Sequence, residues 1–407
     1  MKSNGNWGET PWKVAFRAKA GTLPEEVDVA IVGGGFTGLA AAAMVKRLAR
    51  ERSVLLLEAE RVGNGASGRT GGLVLGETAA GDLPGLGDVL QGYPRILEEL
   101  GVTADLRLPG VWELARGTTS MDGKPVHAIT GSPIEWSDSG KLEAVGTVPG
   151  GSVDPGKVVT GLARAAEKAG VRIAERARVA KIEFREPVRL YVERTRAGGR
   201  ERRVIEAKQV LIATNAGSLE LSAALFGGRQ PAEPKLTFAL ATAPFSQNEI
   251  AELGLGSGRA FYTVDLPYLW GRLLENGGLV WGSGLVPGWG ESARRGTRGE
   301  VERRRLWSGL EALDTRKGQA AERLRTLEER VRGLHPGLKK MRVTHRWGGP
   351  ILITRELWPV FRKHPESEKV IVSGGYSGHG VALSVYLGER AARVMAGLET
   401  GEWELRH

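Results

Sequence analysis

Three glycines, Gly33, Gly35 and Gly38, follow directly on the apolar run Val27–Val32 and stand at the spacing GxGxxG. At a strand-to-helix turn the first glycine allows the turn and the second lets backbone N–H groups meet a pyrophosphate. The third lets helix and strand pack closely. Phe36 and Thr37 fill the remaining positions of the turn, and Glu58 closes the next apolar run, where a carboxylate accepts hydrogen bonds from ribose hydroxyls. An acid there disfavours a 2′-phosphate. The alternative, a glycine turn that only packs a helix, leaves Glu58 without a role. Near the other end of the chain, Gly374-Gly375-Tyr376-Ser377-Gly378-His379-Gly380-Val381 is a run of small residues that opens a helix, so its N–H groups and positive dipole end can face an anion. His379 lies within it, either to touch a ligand or to satisfy a loop carbonyl.

These groups need a scaffold. Val27–Val32 is too short for a free-standing helix and reads as a strand buried on both faces, which implies a parallel sheet. A helix rich in Ala and Leu then runs to Arg50, and Ser53–Leu57 is the second strand of a βαβ unit. Leu83–Leu100 has helical apolar spacing, and residues 105–148 read as short strands and turns. Asp154-Pro155 caps and opens a helix that stops at Gly170. Val171–Phe184 and Leu190–Val192 read as strands, Arg194–Arg203 as a polar hairpin tip and Gln209–Ala213 as another buried strand. Residues 235–290 are strand-like and aromatic (Phe238, Phe261, Tyr262, Trp281 and Trp289 among them), and 299–334 predict two charged amphipathic helices. Trp347–Pro359 reads as loop and strand, Lys369–Val372 as a strand and Val381–Leu398 as the terminal helix.

Composition narrows the chemistry. With no Cys in 407 residues there is no disulfide, thiolate metal site, iron–sulfur cluster or catalytic thiol. Six His without i, i+4 spacing make a metal site unexpected. The net charge of +10 favours anionic partners, yet no nucleic-acid signature accompanies it, so no nucleic-acid partner is expected. No apolar run is long enough to span a membrane and the N-terminus lacks a secretory leader, so a cytoplasmic location is expected.

Five blocks in order, GGGFTG with Glu58, Gly63–Gly72 (GNGASGRTGG), Asp154-Pro155 with its helix and the strand through Val179, Val210–Gly217 (VLIATNAG), and Arg346–Pro350 (RWGGP) followed by Gly374–Val381, resemble the FAD-dependent amine and amino-acid oxidoreductases of the D-amino-acid oxidase superfamily. The resemblance implies an α/β fold: a Rossmann-like FAD-binding domain with an interleaved α+β substrate domain built on an antiparallel sheet. Residues 1–84, 150–228 and 338–407 would form the first domain, and 85–149 and 229–337 the second. It implies noncovalent FAD, held additionally by Ala66, Ser67, Arg69, Thr70, Gly71 and Gly72, by the Val179 backbone at the adenine, by Thr214, Asn215 and Ala216, by Trp347 and Gly349, and by Gly375, Tyr376, Ser377, Gly378, Gly380 and Val381. Arg69 is alternatively a solvated charge. The implied reaction is hydride transfer to flavin from the carbon beside an amine nitrogen, with hydrolysis of the resulting imine and oxygen as acceptor; His379 would touch substrate or stabilise the reduced cofactor. A quinone-linked dehydrogenase of amino or hydroxy acids using the basic stretch Arg294–Arg332 for peripheral membrane contact is the rival, and structural FAD another. Ala382 stands where sarcosine-oxidase-like relatives carry a carboxylate-binding Lys. A carboxylate substrate would therefore need another cation, for which Arg272 is the candidate, sharing a strand face with Tyr268 and Trp270. The alternative for Arg272 is a cation stacked on an aromatic ring.

Overall fold

The strand Glu26–Val32 lies between two parallel neighbours, pairing Val29 with Val54 on one side and Val29 with Gln209 on the other. Val29, Ala30 and Ile31 are fully buried, as a β-branched run covered on both faces requires. The computed structural model describes residues 6–120, 123–196, 199–221, 232–287 and 309–399. In these, an eight-stranded sheet carries the order Val360–His364, Ser367–Gly374, Gly199–Ile212, Glu26–Val32, Val54–Leu57 and Arg172–Ala174. The five consecutive strands from 367–374 to the edge strand 172–174 are parallel, and the antiparallel ribbon 177–183/188–196 hangs from Gly199–Ile212.

Helices among the described residues are α1 (Phe36–Leu48), α2 (Val89–Glu99), α3 (Pro155–Lys168), α4 (Ser218–Leu221), α5 (Gln247–Glu252), α6 (Gly318–Leu334) and α7 (Gly380–Met395). None is long and apolar enough to cross a membrane. Helix α1 is buried from Phe36 to Val45, which its four consecutive alanines permit, because α7 approaches so closely that a Cβ on Gly388 would lie 2.6 Å from the Thr37 carbonyl. Helix α2 docks on α7 through buried Tyr93 and Ile96 and the Arg95–Glu389 ion pair at 2.5 Å.

The second eight-stranded sheet has the order 343–353, 233–242, 279–287, 270–273, 260–263, 111–115, 141–148 and 135–137. It is antiparallel throughout except where Ala260–Thr263 runs parallel to Val111–Ala115. Trp136, Phe261 and Trp281 pack edge to face or tilted at 5.0–5.3 Å between centroids, on the side that α6 covers with Leu327 and Val331.

Several expected boundaries shift. The helix expected over 83–100 begins only at Val89, because Pro84 and the positive φ of Gly85 and Gly87 prevent a helix before the Asp88 cap. The strand expected over 171–184 divides at Arg176, which takes φ +55°. The polar tip at 194–203 belongs to two long arms, and the second arm continues unbroken into the buried strand through Gln209–Ala213. Trp289, residues 299–308 of the expected helix pair, and part of the basic stretch from 294 lie outside the described residues. The segment 343–353, assigned by sequence to the same unit as the C-terminal loop, pairs in the second sheet. Helix α2, assigned to the other unit, packs on α7.

Candidate active site

The carboxyl ends of Glu26–Val32 and Val54–Leu57 point at the start of α1, the place where an open α/β sheet binds ligands. Gly33 has φ +112°, and a Cβ there would lie 2.6 Å from the Ala213 carbonyl. A Cβ on Gly38 would lie 2.0 Å from the Gly33 carbonyl, so Gly38 packs the helix on the turn rather than facing the cavity. Gly35 is extended (φ −86°), and its missing Cβ would meet Ser67 Oγ at 2.8 Å. That hydroxyl accepts the Phe36 N–H at 2.9 Å and so anchors the glycine-rich segment against the helix start. Glu58 accepts the Gly34 N–H at 2.8 Å and the Glu60 N–H at 2.9 Å, while burial pushes its carboxyl pKa up.

A cavity of about 1140 Å³ extends from this turn to the second sheet. That volume is larger than most small-ligand sites. Gly33, Gly35, Phe36, Thr37 and Glu58 line one end, with Val179, Thr214 and Asn215 beside them. Ala66, Ser67, Arg69, Thr70 and Gly71 form one wall, and Trp347 and Gly349 belong to it too. Tyr376, Ser377, Gly378, His379, Gly380 and Val381 bring the start of α7 to the same space, and Tyr268 and Trp270 close it from the second sheet.

Gly38, Gly72, Ala216, Gly375 and Arg272 are not in the wall. Ala216 is buried in the core. Gly375 donates its N–H to Asn215 Oδ1 at 2.9 Å, which joins two of the sequence blocks, and Asn215 takes φ +46° to do so. Tyr376 makes a similar link, its hydroxyl lying 2.6 Å from Thr37 Oγ1 and 3.0 Å from Ser373 Oγ.

The two arginines have backbone duties. Arg69 donates to the Gly8 carbonyl at 2.8 Å and the Asn64 carbonyl at 3.0 Å and lies over the Trp7 ring, and burial lowers its pKa to about 10. Arg272 shares a strand face with Trp270, whereas Tyr268, expected on that same face, precedes the strand, which begins only at Trp270; Arg272 points past the cavity. Its Nε donates to the Gly71 carbonyl, its guanidinium sits 5.7 Å from the Trp12 ring centroid, and burial lowers its pKa to about 10. The arrangement matches stacking on an aromatic ring and gives the carboxylate clamp no geometric support. Arg272→Met should therefore lower thermal stability and flavin retention, by about 1–3 kcal/mol for the unsatisfied Gly71 carbonyl and lost cation–π contact. Substrate half-saturation per bound flavin should stay within about threefold, which thermal melts and steady-state kinetics on the same preparation would check.

Trp270 reaches the cavity because two neighbours lack side chains: a Cβ on Gly71 or on Gly282 would fall 2.0 or 1.9 Å from its indole. His379 caps α7, and its Nδ1 finds no partner among the described residues. Burial pushes its pKa down to about 4 against an opposing hydrogen bond with the Ser377 backbone, so the ring is neutral at pH 7.

The groups that hold the second-sheet end of the cavity carry no local sequence pattern. Arg116 bonds Asp138, Asp265 and the Pro267 carbonyl, and Arg330 of α6 bonds Asp138 and the Tyr268 carbonyl, so a largely buried ionic cluster fixes the loop that carries Tyr268. Glu77, Glu113 and Tyr262 also line the cavity. An acid between Trp112 and Leu114 in an otherwise apolar strand was the available signal for Glu113.

Residues 28–394 match the family model described as FAD dependent oxidoreductase. The chain is 28% identical to the oxidoreductase OrdL of Rhizobium meliloti (strain 1021), covering 92% of this chain and 84% of that protein. It is 24% identical to the gamma-glutamylputrescine oxidoreductase of Escherichia coli (strain K12), covering 92% and 85%. Glycine oxidase from Geobacillus kaustophilus superposes with a TM-score of 0.64 at 20% identity, covering 94% of this chain and 99% of that one.

Proposed function

The chain belongs to the family of FAD-dependent oxidoreductases, and from that premise we propose that it oxidises the C–N bond of an amine, with noncovalently held FAD and oxygen as acceptor. The observation that carries this reading is the single cavity in which the dinucleotide turn, the start of α7 and an aromatic wall of Tyr262, Tyr268 and Trp270 face one another. FAD supplies the acceptor for a hydride from the carbon beside the nitrogen. Gly33, Gly35 and Ser67 shape the pyrophosphate site at the α1 dipole, and Glu58 presents a carboxylate to the ribose. The amine must lose its proton before hydride leaves. The aromatic wall desolvates the ammonium and lowers its pKa, which favours the neutral form. Positive dipole from α7 and the neutral His379 ring oppose negative charge that builds in the cavity as the reaction proceeds. Water then hydrolyses the released imine to a carbonyl and an amine or ammonia.

The relatives' names support amine chemistry, since one acts on gamma-glutamylputrescine and another, 29% identical over 178 residues, is a 4-methylaminobutanoate oxidase. For domain organisation, we retain a cofactor-holding unit of 1–84, 150–228 and 338–407, with α2 added and 343–353 given to the substrate unit, as strand pairing and packing favour. Anaerobic mixing of the flavin-loaded protein with primary amines, N-methyl amino acids, D-amino acids and 2-hydroxy acids tests the reaction. Bleaching of the flavin absorbance by amines is the expected outcome; bleaching by 2-hydroxy acids alone would replace amine oxidation with alcohol oxidation.

A further inference from the structure

At the substrate end of the cavity two carboxylates face one another across a phenol. The Tyr262 hydroxyl donates to Glu113 Oε1 at 3.0 Å and lies 3.4 Å from Glu77 Oε1, and all three residues line the cavity. Glu113 projects from Val111–Ala115 across Gly146 of the paired strand, where a Cβ would come within 2.8 Å of its Oε2, so the neighbour's lack of a side chain gives the carboxylate its place. Among the described residues no lysine, arginine or histidine comes within ion-pair distance of either acid. Burial and the facing Glu113 push the Glu77 carboxyl pKa up, as a neighbouring acid without a countercharge does.

A separate group points to a ligand at the same place. The Tyr268 ring stands 6.4 Å from that of Tyr262, its hydroxyl has no hydrogen-bond partner among the described residues, and its phenol pKa is pushed up by desolvation and by Glu77. Two carboxylates and a phenolic oxygen together offer acceptors to the three donors of an ammonium. A carboxylate brought to this end would be repelled, and Arg272 lies outside the cavity wall.

We propose that Glu77 and Glu113, bridged by Tyr262, bind a second cationic nitrogen of the substrate, so that the nitrogen oxidised is one end of a diamine or polyamine rather than the amino group of an amino acid. This rests on the amine-oxidation reading above and names the substrate class within it. The distal ammonium binds the acids while the chain between the nitrogens crosses the aromatic wall. Charge-assisted hydrogen bonds of this kind are worth roughly 10- to 100-fold in binding.

The test compares 1,4-diaminobutane, 1-butylamine and 4-aminobutanoate on flavin-loaded wild type, Glu77→Gln, Glu113→Gln and the double variant. Half-saturation of anaerobic bleaching is one readout, and calorimetric binding with the flavin oxidised is the other, so a ligand that binds without turnover still reports. Glutamine keeps the shape of the side chain, and flavin content per protein verifies folding. The wild type should prefer the diamine over butylamine by about 10- to 100-fold and handle 4-aminobutanoate worst. Each single variant should shrink that preference and the double variant should bring it close to unity. Equal half-saturation for diamine and butylamine, a preference that survives in the double variant, or tighter handling of 4-aminobutanoate each overturns the assignment of the acids while leaving amine oxidation standing. Failure of every amine to bind or bleach, with a 2-hydroxy acid active, overturns the underlying reaction as well.

Discussion

Gly35→Val should give folded, colourless protein. Gly35 has φ −86° and extended ψ, a conformation valine adopts without strain, so the backbone itself does not resist the change. The new Cβ, however, would start 2.8 Å from Ser67 Oγ, and the branched methyls must fill the space where backbone N–H groups at the head of α1 meet the pyrophosphate. Ser67 is then displaced from the Phe36 N–H, and the glycine-rich wall that begins there moves with it. Flavin occupancy should fall by at least about tenfold, equivalent to roughly 1.4 kcal/mol, and to the detection limit if the dinucleotide cannot shift. Absorbance at the flavin band against protein concentration reads the loss, and circular dichroism verifies the fold. Full occupancy in a folded variant would remove this turn from the pyrophosphate site. The contrast with Gly38→Val sharpens the result: a Cβ there would lie 2.0 Å from the Gly33 carbonyl, so that variant should fail to fold before flavin binding becomes a question.

His379→Ala should slow flavin reduction by about tenfold to a thousandfold with FAD still bound, the loss expected when a positioned donor is removed from developing negative charge. The ring lines the cavity at the cap of α7, and its pKa of about 4 makes it a neutral donor rather than a cation at working pH. The single-turnover reduction rate should therefore show no inflection between pH 6 and 8 that disappears in the alanine variant. Stability carries the complementary signature. Because the folded pKa lies below the ordinary 6.5, the unfolded chain takes up the proton first as pH falls, so this residue's contribution is complete above about pH 6.5 and is lost on descending toward pH 4. The alanine variant lacks that loss, and melting curves across the interval read it. Unchanged reduction per bound flavin, with lower stability, would make His379 a packing residue.

The strand–turn–helix end of the cavity was legible in the sequence because its parts are local. Gly33, Gly35, Gly38 and Glu58 sit within one βαβ unit, where strand, turn and helix follow one another and spacing along the chain fixes spacing in space. The Asp154 cap with Pro155 at the first helical turn was readable for the same reason, since a capping side chain bonds a backbone N–H only three residues away. The substrate end was not legible. Its wall gathers Glu77, Glu113 and the hairpin residues Tyr262 and Tyr268 from three stretches of chain, and no local pattern says that the first two share one phenol. Arg272 shows the limit of periodicity. The alternation of a strand placed it on the face of Trp270, but whether a side chain ends in a cavity or against a carbonyl depends on what lies opposite, here Gly71 and Trp12.

The N-terminal segment shows the same division. Read alone, it contains no element. Folded, Trp7 donates its indole N–H to the Leu310 carbonyl, Trp12 donates to the Gly68 carbonyl and packs edge-on against Trp347, and the Gly8 carbonyl takes Arg69. Sequence by itself determined the parallel sheet, the glycine turn at Gly33–Gly38 and the C-terminal helix, expected over Val381–Leu398 and found over Gly380–Met395, because apolar periodicity and glycine spacing act over a few residues. Tertiary structure alone decided which charges face the cavity and which face carbonyls, because the energy of a buried charge is set by its partners across the fold, and those partners come from distant parts of the chain.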